Sequence, residues 1–405
     1  MERTKAELEP AIDHARRRLL AAGATGAAAG LAGWSPASLA QAGGKPLPPV
    51  ASYKDASRMI VHSANGVETK RSAFSTSAIT SNDVLFLRNN LAAPDASVLN
   101  DRDAWVVEFD GVTNPRKLTL GELKRMGLAS VSMVLQCSGN GRGFFNHKPR
   151  GSQWKVGASG NVIWSGVPVK AVVEALGGVR GGMRYMTSTG GETIPPGLET
   201  KKVVVERSVP WTAMEEAILA WELNGDPLPL AHGAPLRMVI PGYYGVNNVK
   251  YVKRVAFTED QTDASIQASG YRVRPIGEKG APAQPSMWEM NLKSFVTDPS
   301  GEGPVRAGMT QIHGVAWSGG SPVSAVEVSV DGGRTWRAAR FYGPNLGRYA
   351  WRQFVLPVEL RAGSYEITSR AIAEDGEVQP EHRVENERGY AHNGWRDHAV
   401  KVSVS

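Results

Sequence analysis

The pattern of apolar and polar positions divides the chain near residue 285. Before that point, segments with the period of a strand alternate with segments with the period of a helix. Strands are predicted at residues 105–109 and 131–136. Helices are predicted at three places: after a capping box at Thr119 and Glu122, from Pro168 to Gly177, and after a second capping box at Thr212 and Glu215, with an apolar stripe of Met214, Ala217, Ile218 and Trp221. This part of the chain is expected to be an α+β domain.

Beyond residue 285, apolar residues recur only at every second position, which is the period of a strand. Val326, Val328 and Val330 face one side before a glycine-rich turn at residues 331–333, and the same alternation returns at residues 365–373 and 400–404. Short strands separated by turns over about 120 residues are typical of an immunoglobulin-like β-sandwich. Domains of this kind mediate assembly more often than chemistry.

The first residues resemble an export signal rather than part of the fold. Three arginines at residues 16–18 precede an Ala/Gly-rich stretch, and small residues spaced as in a cleavage site follow at residues 38–42. We expect residues 1–42 to be a twin-arginine signal peptide that sends the folded protein to the periplasm. The predicted domains are then a catalytic domain at residues 43–284 and the sandwich at residues 285–405.

Composition narrows the function classes. The chain has 405 residues, 41% apolar and 21% charged, with a net charge of +7. No apolar run is long enough to span a membrane, and no nucleic-acid partner is expected. A single cysteine excludes an internal disulfide framework, a zinc finger and a cysteine-ligated iron–sulfur cluster. A pI near 9.4 suits an anionic substrate or an acidic partner.

That cysteine, Cys137, follows a predicted strand and begins a glycine-rich loop with glycines at positions 139, 141 and 143. The glycines allow the backbone to approach a ligand closely, and Arg142 adds a positive charge that favours the thiolate. Three interpretations remain open from these residues: a buried structural cysteine, the nucleophile of a cysteine hydrolase, or a soft-metal ligand. A single thiolate holds a metal tightly only where other soft ligands, such as a dithiolene cofactor, complete the site.

Residues 137–142, CSGNGR, resemble the Cys-[Ala/Ser]-Gly-Asn-x-Arg motif of the sulfite oxidase family of molybdenum enzymes. Segments 85–90, 221–237 and 241–251 resemble three further motifs of that family, in the same order. The resemblance covers nearly all of the chain after residue 42. It implies a sulfite-oxidase-type molybdopterin-binding domain, followed by an immunoglobulin-like dimerisation domain through which a homodimer forms.

The resemblance also implies roles for individual residues. Cys137 is the expected thiolate ligand of molybdenum. The expected contacts of the cofactor, molybdenum-molybdopterin, are Phe86, Arg88, Asn90, Cys137, His232, Arg237, Asn248 and Lys250. The expected catalytic residues are Tyr271, beside the reacting oxygen, and Arg88 and Arg142, which bind sulfite. Asn90 stands where many relatives carry histidine, and we expect Thr189 or a nearby serine to replace the acidic pterin contact of relatives.

The haem-free periplasmic sulfite dehydrogenases are the members that the chain resembles most. They imply oxidation of sulfite to sulfate by oxygen-atom transfer at a molybdenum centre, with electrons passed to a separate c-type cytochrome. Two further alternatives are a molybdenum-dependent methionine sulfoxide reductase, which usually lacks the C-terminal sandwich, and an exported non-enzymatic binding protein with a structural cysteine.

Overall fold

Five β-sheets and three short α-helices build residues 45–405, the part of the chain that the computed structural model describes. The predicted signal peptide lies outside the described residues. The helices are α1 Leu120–Lys124, α2 Val169–Ala175 and α3 Thr200–Val203. The strands are β1 Met59–Ser63, β2 Gly66–Thr69, β3 Leu87–Arg88, β4 Val106–Asp110, β5 Arg116–Thr119, β6 Ala129–Gln136, β7 Ser159–Pro168, β8 Tyr185–Gly190, β9 Glu206–Pro210, β10 Ile218–Leu223, β11 Asp226–Pro227, β12 Arg237–Val239, β13 Val252–Thr258, β14 Lys293–Asp298, β15 Gly308–Trp317, β16 Val323–Ser329, β17 Arg337–Ala338, β18 Arg340–Tyr342, β19 Arg352–Leu360, β20 Gly363–Ala373 and β21 Val400–Val404.

Two five-stranded sheets form the framework of the first domain. One, here the cysteine sheet, has the order β11-β10-β7-β6 with β12 also paired to β10; the other has the order β5-β4-β13-β8-β9. β13 pairs with β4 in parallel, and the other pairings in these two sheets are antiparallel. A large apolar core that includes Val107, Leu120, Val172, Leu219 and Val255 joins the two sheets and the helices.

A second core involves the cysteine sheet and the preceding segment. It contains Leu85, Leu135, Trp154 and Trp164. A small sheet, β1-β2-β3, lies in this preceding segment, and β3 carries Arg88. The order of these elements brings residues 85–90 to the carboxyl end of β6.

The C-terminal part is a sandwich of two four-stranded sheets, β14-β15-β19-β18 and β17-β16-β20-β21. Alternate residues of β21 are buried, as the alternation predicts. Their partners in the sandwich core include Ile312, Phe354 and Ile367. The sandwich and the first domain also share a core, in which Val134 and Tyr244 pack with Phe295, Trp317 and Trp351.

The structure confirms the predicted α+β architecture followed by an immunoglobulin-like sandwich. The capping box at Thr119 and Glu122 forms: the Thr119 hydroxyl accepts from the Glu122 backbone at 3.1 Å, and the Glu122 carboxylate accepts from the Thr119 backbone at 2.7 Å. The helix after Pro168 and the strand ending at Gln136 are also present. Within residues 45–405, no helix combines the length and the apolar character that a membrane crossing needs.

The third predicted helix, after the capping box at Thr212 and Glu215, was wrong. Residues Trp211–Glu215 form only a 3₁₀ turn without a side-chain cap, and residues 218–223 are strand β10. The apolar run is compatible with the period of a helix or of a strand, and strand pairing determines which one forms. β10 lies between β7 and β12, so both of its edges are hydrogen-bonded. Tertiary pairing therefore overrides the weak local signal of a capping box.

Candidate cofactor site

A cavity lies where β6 ends and the loop after β12 passes beneath it. Its volume is about 680 Å³, including the opening to solvent. The structure brings nine of the predicted residues together on its walls: Phe86, Arg88, Asn90, Cys137, His232, Arg237, Asn248, Lys250 and Tyr271. Residues from four separate segments of the sequence thus meet at one site.

The backbone around Cys137 presents the thiol at the wall of this cavity. The Cys137 amide donates to the Ala158 carbonyl at 2.9 Å, and the Cys137 carbonyl accepts from the Asn140 amide at 2.9 Å. The Asn140 side chain fixes the same turn by accepting from the Ala158 amide at 3.1 Å. Cys137 is a partly buried free thiol. Among the described residues no histidine is hydrogen-bonded to its sulfur, which favours a ligand over the nucleophile of a hydrolase.

Another part of the cavity wall is positively charged. The Lys250 ammonium donates to the carbonyl of Ala231 at 2.6 Å and to that of Arg88 at 3.2 Å. The buried Arg237 guanidinium donates to the His232 carbonyl at 2.8 Å and lies 4.9 Å from the Trp164 ring centre. Within residues 45–405, neither Lys250 nor Arg237 has a carboxylate ion-pair partner.

Burial of this charge shifts the affected groups toward their neutral forms. Burial lowers the pKa of Arg237 to about 10 and holds the pKa of Lys250 well below its usual value, with a further contribution from Arg237. The pKa of His232 is likewise lowered, first by burial and then by Lys54, Lys250 and Arg237. A bound anion reverses these shifts, so this part of the cavity is suited to a phosphate-bearing ligand.

Arg142 lies apart from the other predicted site residues and does not line the cavity. Its guanidinium donates to the Arg388 carbonyl at 2.9 Å and to the Ser152 carbonyl at 3.2 Å, and lies 5.3 Å from the Tyr390 ring centre. Tyr390 stacks on Tyr271, with ring centres 5.1 Å apart. Two of the three guanidinium nitrogens, Nε and Nη1, thus bind backbone carbonyls and support the wall of the site. That Arg142 binds sulfite stays a prediction.

The sandwich domain contributes directly to the cysteine loop. The Ala391 amide donates to the Ser138 carbonyl at 3.1 Å, and the ring of His392 lies against Gly141. Arg388, whose guanidinium lies 5.9 Å from the Tyr390 ring centre, has a buried Nε without a partner. No sequence motif assigns residues beyond position 285 to the site, because their approach depends on how the domains pack.

Sequence reasoning missed four polar residues of the cavity wall: Asn89, Ser138, Glu192 and Tyr251. The expected substitute for an acidic contact, Thr189, is wrong, because its hydroxyl donates to Glu206 at 2.6 Å and it does not line the cavity. Glu192, three residues further on, places a carboxylate on the cavity wall. Burial raises its pKa to about 7. Its position in an irregular segment after β8 carries no sequence signal.

Two buried lysines predict how the stability of the metal-free protein depends on pH. Burial lowers the pKa of Lys54 and of Lys293 to about 7, against 10.5 for an unperturbed lysine. Between these values the unfolded chain binds more protons, so stability rises by about 2 kcal/mol per lysine from about pH 7 to about pH 9. We expect the urea concentration at the midpoint of unfolding to rise over this interval. The rise should be smaller in a variant in which methionine replaces both lysines. A midpoint that is flat in the native sequence contradicts the burial of charge.

The residues at the cavity fit the cofactor that the sequence predicts. Ser138 Oγ, Glu192 Oε2 and the Tyr251 hydroxyl are buried at its wall without a hydrogen-bond partner, as expected for atoms that meet a polar ligand. A soft thiolate lines the same cavity as the cations, which matches a metal dithiolene carrying a phosphate. Among residues 45–405 no three His, Cys, Asp or Glu side chains cluster as a metal site.

Comparisons with known proteins agree with this site. The family model for an oxidoreductase molybdopterin binding domain matches residues 94–266, and that for a Mo-co oxidoreductase dimerisation domain matches residues 284–405. The solved sulfane dehydrogenase SoxCD from Paracoccus pantotrophus aligns with a TM-score of 0.70 and 26% identity, over 84% of this chain and 86% of that one.

Curated relatives extend the match. Mitochondrial sulfite oxidase from Homo sapiens is 31% identical over 81% of this chain, and this chain spans 62% of that protein's length. Sulfite oxidase from Gallus gallus is 31% identical over 78% of this chain and 72% of its own length. An NADH nitrate reductase from Phaseolus vulgaris is 32% identical, with 38% of its length covered. The chain therefore belongs to the sulfite oxidase family of molybdenum enzymes, and its cofactor is molybdenum-molybdopterin.

Proposed function

We propose that this protein oxidises sulfite to sulfate in the periplasm, as a homodimer that passes electrons to a separate c-type cytochrome. The observation that carries the proposal is the combination of the Cys137 thiol with unpaired cations on the wall of one cavity. Sulfite is an anion, and the planar guanidinium of an arginine can donate two hydrogen bonds to neighbouring oxygens of an oxyanion. The basic chain and the sandwich domain support an anionic substrate and a dimer.

The proposed roles follow from the contacts. Cys137 holds the metal, and the cofactor supplies the oxygen-atom transfer when bound. The anionic end of the cofactor is bound by Lys250, Arg237 and His232. Arg88 attracts and orients the substrate. Tyr271 is held by its stack on Tyr390, with its ring 5.7 Å from the Arg207 guanidinium, and lines the reacting part of the cavity. Overall, sulfite and water yield sulfate, two protons and two electrons.

A second candidate is oxidation of a sulfane sulfur instead of sulfite. The solved SoxCD is a sulfane dehydrogenase, and the alignment spans 86% of that chain, more than the 62% of human sulfite oxidase. Thiosulfate is an oxyanion that carries a sulfane sulfur, so the cationic wall of the cavity suits it as well as sulfite. Methionine sulfoxide reduction is less favoured, because the match to a dimerisation domain covers residues 284–405.

The test uses the full protein produced in molybdate-supplied cells. We expect about one molybdenum per chain and reduction of cytochrome c that depends on sulfite. Thiosulfate in place of sulfite tests the sulfane alternative, and a reductant with methionine sulfoxide tests the reductase. Molybdenum-loaded protein that does not oxidise sulfite but turns over thiosulfate or methionine sulfoxide refutes the proposed substrate. Full-length protein found in the cytoplasm refutes the proposed export.

Replacement of Arg88 by methionine is expected to raise the KM for sulfite at least about tenfold, because a charged contact to the anion is lost. Molybdenum content is measured in parallel, and KM is compared only between samples of equal loading. Arg334→Met, at an exposed turn of the sandwich, is the control. A KM for sulfite equal to that of the native protein removes Arg88 from substrate binding.

A further inference from the structure

A buried lysine lies behind the cavity, outside the part of the chain that either family model matches. Lys54 belongs to the N-terminal segment, just after the 3₁₀ turn Pro49–Ala51, and is 5% exposed. Its amide donates to the Ala51 carbonyl at 3.0 Å, and the next amide, that of Asp55, donates to the Asp83 carbonyl at 3.1 Å. Both ends of the turn are therefore anchored, and the side chain enters the protein interior from a fixed position.

The Lys54 ammonium makes two polar contacts. It donates to the Asn82 carbonyl at 2.5 Å, and it lies 3.0 Å from His232 Nε2. Below about pH 7, Lys54 is an ammonium, which has protons but no lone pair. In that charged form Nε2 accepts in this contact, and Nδ1 carries the ring proton. His232 is 1% exposed and lines the cavity, and its main-chain carbonyl is held by Arg237. The tautomer of a cavity histidine is thus set from outside the cavity.

The positive charges around His232 indicate that an anion binds next to them. Lys54, Arg237 and Lys250 are three cations near one imidazole, and none of them has a carboxylate ion-pair partner among residues 45–405. A protein rarely buries several cations together unless an anion accompanies them. Arg237 and Lys250 line the cavity, whereas Lys54 acts one layer behind it.

We propose that Lys54 is a positioning residue for molybdopterin: it holds His232 as an Nδ1–H donor to the anionic end of the cofactor and adds a third positive charge there. The proposal rests on the cofactor assignment and is independent of which sulfur compound is oxidised. It gives the N-terminal segment a role in cofactor retention.

The first test reads the histidine directly. Long-range ¹H–¹⁵N spectra of the metal-free protein report the tautomer of each of its 8 histidines, and His232→Gln identifies the signal of interest. We expect a protonated Nδ1 and a bare Nε2 in the native protein, a changed Nε2 signal in Lys54→Met, and its restoration in Lys54→Arg. An Nε2–H tautomer in the native protein, or a signal that Lys54→Met leaves unchanged, overturns the proposal.

The second test measures anion binding without the metal or the substrate. Inorganic pyrophosphate is titrated into the metal-free protein by calorimetry, and Lys54→Met is expected to weaken binding about tenfold or more, with Lys54→Arg within about threefold of native. Lys293→Met is the matched control, because Lys293 is equally buried but donates to the His392 carbonyl in the sandwich. Equal weakening by both methionine variants means a general folding defect and overturns the proposal. Should Lys54→Met not fold, Lys54→Gln takes its place in both experiments.

Discussion

The Cys137→Ser variant is expected to lose its sulfite-dependent turnover, by about a hundredfold or more. Changes in groups that merely orient metal ligands already cost about ten- to a hundredfold, and this change removes a ligand itself. A serine hydroxyl is a hard, weakly acidic donor, whereas a soft metal-dithiolene centre prefers thiolate. X-ray absorption at the molybdenum edge should show one sulfur neighbour fewer in the variant.

The X-ray absorption measurement distinguishes the loss of a metal ligand from the loss of a catalytic nucleophile. Replacing a nucleophile also abolishes activity, but it leaves the atoms around the metal unchanged. Ser132→Ala is a suitable control, since Ser132 lies on the same strand five residues before Cys137 and does not line the cavity. Native turnover in Cys137→Ser, or an unchanged sulfur count at the metal, contradicts the ligand assignment.

The parts of the fold that the sequence predicts well are those with one strong local signal. The alternation in β20 and β21 identifies strands because one side of each is largely buried, and the capping box before α1 has both of its reciprocal bonds. Residues 211–223 also carry a capping-box sequence, but no side-chain cap forms there, and their short apolar run is compatible with a helix or a strand. Their conformation is decided by pairing with β7, a partner about fifty residues away, which no local pattern contains.

The candidate site divides in a similar way. Motifs with fixed spacing predicted the residues that line the cavity, because the cofactor constrains them together. Arg142 shares such a motif but lies under Tyr390, a residue of the sandwich. Glu192 and Lys54 stand in segments without a motif and reach the site only through tertiary packing. The sequence therefore predicts the cavity wall better than it predicts the residues that support it.

The contact between Gly141 and the sandwich domain is one such support, and Gly141→Ala is expected to lower the free energy of unfolding by about 3 kcal/mol. Gly141 has φ +97°, and an added Cβ would lie 2.4 Å from Cγ of His392. That imidazole has little freedom to move: it is bonded to Asp397 at 2.9 Å and to His398 at 3.2 Å. Backbone strain costs about 1 kcal/mol and overpacking against a fixed ring about 2 more.

Two further variants separate these contributions in urea unfolding of the metal-free protein. Gly182→Ala has nearly the same backbone angle, φ +86°, but its Cβ meets nothing within 4 Å, so it should cost only about 1 kcal/mol. Combining Gly141→Ala with His392→Ala removes the ring, and the coupling free energy should be about 2 kcal/mol in favour of the double variant. Because Gly141 follows Cys137 by four residues, the single variant should also retain less molybdenum. Equal costs for the two glycine variants would show that the sandwich does not hold the cysteine loop in place.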